Sequence, residues 1–432
     1  MADEDLAPLT RMPGADRLDF VRLGDYEEAT NPLRCDPERF IAEVVQEARG
    51  DPAGFDGIIQ LDDYPSSMLM PLIARELGLT ATPVRSVFRC EHKLWSRAIQ
   101  RSVAPKAVPR FEAISLREPD PLARLGLSFP FWLKPVKSYM SYLGFRVGSA
   151  AEFKEVIARA RAELPSFVAA FNRMLDRDAA PAGLSDVDGC WLIAEELLGG
   201  RQCCLEGYVH GGEVTVLGIV DSIRLPNRVS FTRFEYPSRL PALVQRRMIE
   251  IARRVVPAIG LDNTLFNMEL FWDSRREWPS IIEINSRLSA QFADLFQKVD
   301  GISTHEVLVD LTLGKKPHWR RGDGRYRVAA SFVLRTDSDR FVTRVPSAAE
   351  IHRARALLPD LEFRARAAAG HWLSEWPQDS YTFRYGLIHV GGSDHEDLRA
   401  RFAIARSLLP FEFGHAQTAP RTRKVRADSA GA

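Results

Sequence analysis

The spacing of apolar positions changes repeatedly along the chain, between runs and alternations that suit strands and three-to-four-residue spacings that suit helices. From Gly54 to Pro83 (GFDGIIQLDDYPSSMLMPLIARELGLTATP) an apolar run ending at Leu61 precedes a polar turn and an amphipathic stretch that stops at Gly78. This predicts a βα unit. Asp62, Asp63 and Ser66 stand at its turn, where they either touch a ligand beyond the strand's carboxyl end or cap the helix. SVFRCEHKLWSRAIQRSVAP reads as one helix ended by Pro105, with Lys93 and Arg97 four apart on a face open to solvent.

The stretch FPFWLKPVKSYMSYLGFRV, from Phe129 to Val147, opens as a buried strand and ends at Lys134-Pro135. It then runs through Lys137, Ser138, Tyr139, Ser141 and Tyr142 before its first glycine, Gly144. AEFKEVIARARAEL predicts a charged helix, and the Asp-, Ala-, Pro- and Gly-rich residues 167–189 predict a flexible insertion. WLIAEELLGGRQCCLEGYVHGGEVTVLGIVDS predicts a strand, a break at Gly199-Gly200, a second strand, a hairpin turn at Gly211-Gly212 and a third strand. The amphipathic helix LPALVQRRMIEIARRVVPAIGL follows. From Arg325 onward, alternation in YRVAASFVLR and YTFRYGLIHV, closed by the helix EDLRARFAIARSLL, predicts a β-containing lobe, and the basic tail reads as disordered.

At 432 residues the chain is long enough for two to four packed units, and 45% hydrophobic with 27% charged residues is an ordinary globular composition. Lys and Arg number 58 against 57 Asp and Glu, so there is no broad field to attract nucleic acid or an anionic membrane, and any anion site must be local. No apolar run approaches the ~18 residues that span a bilayer, and the acidic N-terminus lacks a signal pattern, which predicts a cytoplasmic protein. The five cysteines form no CxxC pair and no grouping with His, so neither a disulfide framework nor a zinc site is expected. Cys203 and Cys204, neighbours in a predicted strand, face opposite ways.

The chemistry concentrates in FNMELFWD and SIIEIN, joined by the polar turn SRREWP. Strand alternation puts Asn267, Glu269, Phe271 and Asp273 on one face, and Ile281, Glu283 and Asn285 on one face of the next strand against Ile282 and Ile284. A hairpin then brings Glu269, Glu283 and Asn285 together. Carboxylates and an amide among apolar neighbours are costly to bury unless paired or bound to a cation, and oxygen-only ligands favour Mg²⁺ with nucleotide phosphates. The same pattern also fits exposed residues on a solvated strand face. Arg287 continues the parity, placed to hold phosphoryl or carboxylate oxygens in a bidentate fork.

A helix with Lys93, then FWLKPV, WLIAEELLGG, FNMELF and IIEINSRLS, over about Cys90 to Pro317, resembles the ATP-grasp superfamily of carboxylate-amine ligases and biotin-carboxylase-like enzymes. The resemblance implies an α/β fold with α+β lobes. It comprises an N-terminal parallel α/β domain (1–88), an ATP-grasp domain (89–320, with a lid subdomain at about 129–195) and a β-containing C-terminal lobe (321–415) before a tail (416–432). It implies ATP and Mg²⁺ as cofactors, two ions being expected and Mn²⁺ an alternative. Lys93 and Lys134 would reach the phosphates. Glu195, Glu196 and Leu198 would form the adenine hinge, and Glu269, Glu283 and Asn285 would hold the metal. Arg287 and Lys134 would serve catalysis.

Two departures from that family's pattern stand out. Gln202 replaces the glutamate that often holds the ribose, and Lys137, Ser138, Tyr139, Ser141 and Tyr142 replace a glycine-rich phosphate loop, which predicts a lid built from side chains. The implied activity is ATP-dependent joining of a small-molecule carboxylate, an amino acid among the candidates, to an amine through an acylphosphate. The alternatives are a carboxylase of a small substrate and a non-catalytic nucleotide-binding module. Small-molecule acid and amine substrates are the expected partners, without nucleic acid or membrane, and a homodimer is left open. His305, alone on a helix, reads as structural.

Overall fold

Ahead of Phe111 the chain is helical: the computed structural model, which describes residues 3–139, 142–227, 229–376, 378–379 and 381–414, shows no strand among the described residues there. The helices are Asp3–Thr10, Tyr26–Thr30, Pro37–Gly50, Ser66–Leu77, Val84–Glu91 and Lys93–Val103. The strand expected to end at Leu61 does not form, so residues 1–88 contribute helices and not the parallel α/β layer expected of them. A lone extended segment has no ladder partner, and a strand without one leaves its backbone groups unsatisfied. The single helix expected around Lys93 breaks at His92, whose backbone is extended and whose Nδ1 accepts from Trp95 N–H at 3.3 Å, capping the second helix.

The strands are β1 Phe111–Ser115, β2 Phe131–Pro135, β3 Phe145–Val147, β4 Trp191–Glu196, β5 Arg201–His210, β6 Glu213–Arg224, β7 Phe231–Tyr236, β8 Thr264–Trp272, β9 Ser280–Asn285, β10 Val328–Thr336, β11 Phe341–Arg344, β12 Glu362–Ala365, β13 Phe383–Gly392 and β14 Glu412–Gly414. They divide between two units, Met1–Ser222 with Tyr236–Gly324, and Ile223–Glu235 with Arg325–Ala432.

In the first unit, one antiparallel sheet runs β1-β4-β2-β3. Phe131 and Leu133 of β2 share a core with Phe153, Ile157 and Leu164 of the helix Ala150–Phe167. The expected flexible insertion joins this core: it forms the helix Ala169–Met174 and buries Phe171 completely.

A second antiparallel sheet in the same unit runs β6-β5-β8-β9. Gly211 and Gly212, with φ of 58° and 76°, make the two-residue turn between β5 and β6, where both positions need a left-handed backbone. Cys203, Leu205, Phe266, Met268, Leu270, Ile281 and Ile284 pack against Met248, Ile251 and Val255 of the helix Ala242–Ile259. With that face apolar, alternation leaves Gln202, Glu206, Asn267, Glu269, Glu283 and Asn285 on the other. The expectation for Ile281 is overturned. A bulge pairs Glu269 with Glu283 and then Leu270 with Ile281, so Ile281 joins the core and Ile282 is the extra residue.

In the second unit β12-β13-β10-β7 form a sheet and β11-β14 a pair. Val328, Ala330 and Phe332 of β10 and Ile388 and Val390 of β13 build a core with Leu358 and Leu398, and Phe332 stacks on Phe402 at 3.8 Å. Residues 416–432 lie outside the described residues. Among the described residues, no helix is long and apolar enough to cross a membrane.

Candidate active site

The β8–β9 hairpin sets Glu269 directly opposite Glu283 and Asn267 directly opposite Asn285. Burial, and then the charge of Glu283, push the Glu269 carboxyl up to about 7. Burial acts on Glu283 in the same direction, but Lys93 and Lys134 overcome it and hold that carboxyl below its usual range. Two carboxyl groups forced together, with an amide beside them, are a hard-oxygen donor set whose repulsion a divalent cation would relieve. The residues present therefore fit Mg²⁺. Ser286 Oγ and Arg287 Nε, next along the chain, are buried without a hydrogen-bond partner, which leaves polar capacity at this end of β9.

Three cations bear on these carboxylates, Lys93 by direct contact and Lys134 and Arg287 through their charge. Lys93, at the start of its helix, lies with Nζ 3.4 Å from Glu283 Oε2 and donates to the Ser138 carbonyl at 2.7 Å. Lys134, next to last in β2, places Nζ 2.8 Å from Glu195 Oε2. Arg287 pairs with Asp63 and donates from Nη1 to its neighbour's carbonyl, Leu288 O, at 3.2 Å. Asp63 does not cap the helix. Pro65 stands at the helix start without a side-chain cap, while Asp63 accepts from Tyr64 N–H at 2.9 Å and from Arg287.

Arg97 corrects the expectation of a solvent-facing pair. It is 2% exposed and donates to Glu195 at 2.5 Å, to Gln100 at 2.6 Å and to the carbonyl of the bulged Ile282 at 2.7 Å. Lys93 and Arg97 share a helix face, and that face looks into the site. Burial opposes ionisation of Glu195, but Arg97 and Lys134 outweigh it and hold the carboxyl at about 2. Glu195 therefore bridges two cations through its side chain.

Of the other residues expected at a hinge, Glu196 pairs with Arg276 at 2.7 Å and Arg110 at 3.3 Å, and its N–H donates to Arg110 O at 3.0 Å. Leu198 lies beyond the end of β4. Gln202 donates from Nε2 to Glu269 Oε2 at 3.0 Å, which ties it to the carboxylate pair.

The glycine-poor loop after β2 is anchored by its side chains. Lys137 is 1% exposed, ion-paired with Glu91, and its ammonium lies 4.4 Å from the Tyr64 ring centroid. Ser138 is buried and lends its carbonyl to Lys93. Tyr139 meets Tyr64 edge-on at 6.5 Å, while Tyr142 stacks on Phe167 at 4.4 Å and donates to Glu163 at 3.2 Å. Ser141 lies outside the described residues.

Two residues of this network were not singled out by sequence reasoning: Glu91, which accepts from Ser67 Oγ at 3.0 Å, and the buried Glu206, whose Oε1 accepts from Asn267 at 2.5 Å. A carboxylate at an otherwise inward strand position was the available signal for Glu206. Burial pushes the Cys203 and Cys204 thiols well up, so these free cysteines are unreactive fillers of the two strand faces. His305 is buried with Nδ1 3.1 Å from Ser303 Oγ, in the capping turn of its own helix.

Residues 127–295 match the family profile described as the ATP-grasp domain. The chain carries an ATP-grasp domain, and its fold is the ATP-grasp fold. The structure is similar to that of L-amino acid ligase from Bacillus licheniformis, with 19% identity, coverage of 89% of this chain and 87% of that one, and a TM-score of 0.69. It is also similar to phosphoribosylglycinamide synthetase from Anaerococcus prevotii, with 12% identity, 90% and 88% coverage and a TM-score of 0.59. The biotin carboxylase domain of Hydrogenobacter thermophilus 2-oxoglutarate carboxylase, solved with MgADP, ADP and bicarbonate, shares 14% identity over 90% and 84% of the two chains, with a TM-score of 0.61. No curated protein matches the sequence significantly.

Proposed function

We propose that the protein is an ATP-dependent ligase that joins a small-molecule carboxylate to an amine through an acylphosphate, with release of ADP and phosphate. The observation that carries this reading is the convergence of Lys93, Lys134 and Arg287 on the paired carboxylates Glu269 and Glu283. Glu269, Glu283 and Asn285 would hold Mg²⁺, which when bound neutralises phosphoryl oxygens and orients the γ-phosphate for attack. Lys93 and Lys134 add positive charge beside them, and both already exchange it with protein carboxylates.

The substrate carboxylate attacks the γ-phosphorus, and the bond to ADP breaks. The amine then attacks the acyl carbon, phosphate leaves, and the amine's proton passes to a base or to water. Arg287 offers a guanidinium for the oxyanion of that second step. Its pairing with Asp63 puts a positive and a negative group side by side just past β9, which suits a zwitterionic amino acid.

ADP release from ATP should require both an acid and an amine, read across pairs of amino acids. Release with a single acid plus bicarbonate would favour a carboxylase. MgATP raising the melting temperature with no turnover for any pair would favour a non-catalytic module.

A further inference from the structure

We propose that Glu206 and Asn267 determine which end of the Asn285 side chain is presented to a bound divalent cation. This rests on the reading of Glu269, Glu283 and Asn285 as the cation's ligands. Glu206 of β5 lies directly opposite Asn267 of β8, which lies directly opposite Asn285 of β9. Three polar side chains thus form a row across three adjacent strands, on the face away from the helix Ala242–Ile259.

The hydrogen bonds along the row have one direction. Asn267 Nδ2 donates to Glu206 Oε1 at 2.5 Å, and Asn285 Nδ2 donates to Asn267 Oδ1 at 3.4 Å. Ser289 N–H approaches the other Glu206 oxygen, Oε2, at 3.5 Å. With Oε1 unprotonated it can only accept, so Asn267 turns its NH₂ toward Glu206 and its oxygen toward Asn285. Asn285 then uses its NH₂ on Asn267, and its Oδ1 is the end left for a cation. Reversed, the amide would aim hydrogens at a positive ion. Glu206, 0% exposed and remote from solvent, thereby acts as a positioning residue two side chains away from the metal.

The test is a double-mutant cycle of Asn267→Leu and Asn285→Ala, read as Mn²⁺ affinity by electron paramagnetic resonance on the full chain with ADP. Each single variant should bind Mn²⁺ about 10-fold more weakly or worse. The double variant should lie within about 2-fold of Asn285→Ala, because Asn267 acts through Asn285. Asn267→Ser, polar but too short to span the row, repeats the cycle should the leucine variant fail to fold. Parental affinity in the Asn267 variants, or additive losses, overturns the proposal. So does parental affinity in Asn285→Ala, and Glu283→Gln then separates the two readings: lost affinity there leaves the metal site standing, whereas retained affinity removes it as well.

Discussion

Asp63 and Arg287 are ion-paired across 224 positions of sequence, joining the helical N-terminal part of the chain to a residue just past the β8–β9 hairpin. Burial opposes ionisation of Asp63, but Arg287 and then Lys137 outweigh it and hold the carboxyl at about 2. A folded-state pKa below the ordinary value contributes stability that is present above about pH 4 and is lost as the pH falls toward 2. Asp63→Asn should therefore cost about 2 kcal/mol near pH 7, between the limits of exposed and buried pairs. Melting temperatures of parent and variant should converge as the pH is lowered from 6 to 2. A gap that stays constant over that range would show that the pair does not stabilise the fold.

Glu283→Gln removes one carboxylate from the pair that faces Lys93 and Lys134, and leaves the strand register and the apolar face of β9 intact. ADP formation should fall by at least 100-fold while the far-ultraviolet circular dichroism is unchanged. Chelation with EDTA should abolish turnover in the parent, and Mg²⁺ or Mn²⁺ should restore it. Turnover that survives either treatment would refute the metal assignment.

How much of this was legible follows from the range of each interaction. The hairpin of Glu269 and Glu283 could be read because strand alternation is local, and so could the Gly211-Gly212 turn, whose two positive φ values demand glycine. The bulge at Ile282 could not, since both registers place isoleucines on the core face and only three-dimensional packing chooses between them. Arg97 was misplaced for the reason that a helix pattern shows which residues share a face but not what that face meets. Asp63, Glu91 and Glu206 find their partners across 224, 46 and 61 residues, and no period in the chain encodes such pairs.

The pairing of Lys137 with Glu91 accounts for the loop that lacks glycines. Both side chains are buried, and the ammonium also faces the Tyr64 ring. Lys137→Met would leave Glu91 buried with Ser67 Oγ as its one hydrogen-bond donor among the described residues, at an expected cost of about 3–5 kcal/mol in urea unfolding at pH 7. Adding Glu91→Gln should recover most of that loss, because the double variant buries no unpaired charge. A single variant that costs less than about 1 kcal/mol would mean that the charges are solvated and the loop is held by its tyrosines.

Glu206 should make stability fall as the pH rises. Burial pushes its carboxyl up to about 8 against the opposing bonds from Asn267 and Ser289 and the charge of Arg287, with Glu269 adding to the upward push. A folded-state pKa above the unfolded one of about 4.3 gives a contribution that is complete below about pH 4 and is lost as the pH rises through 8. Glu206→Gln carries no titrating group and escapes that loss. Measured in EDTA, so that no bound cation offsets the charge, the melting temperature of the variant relative to the parent should climb between pH 5 and pH 8.5. A flat difference over that interval would show that Glu206 is ionised throughout, held in that state by Arg287.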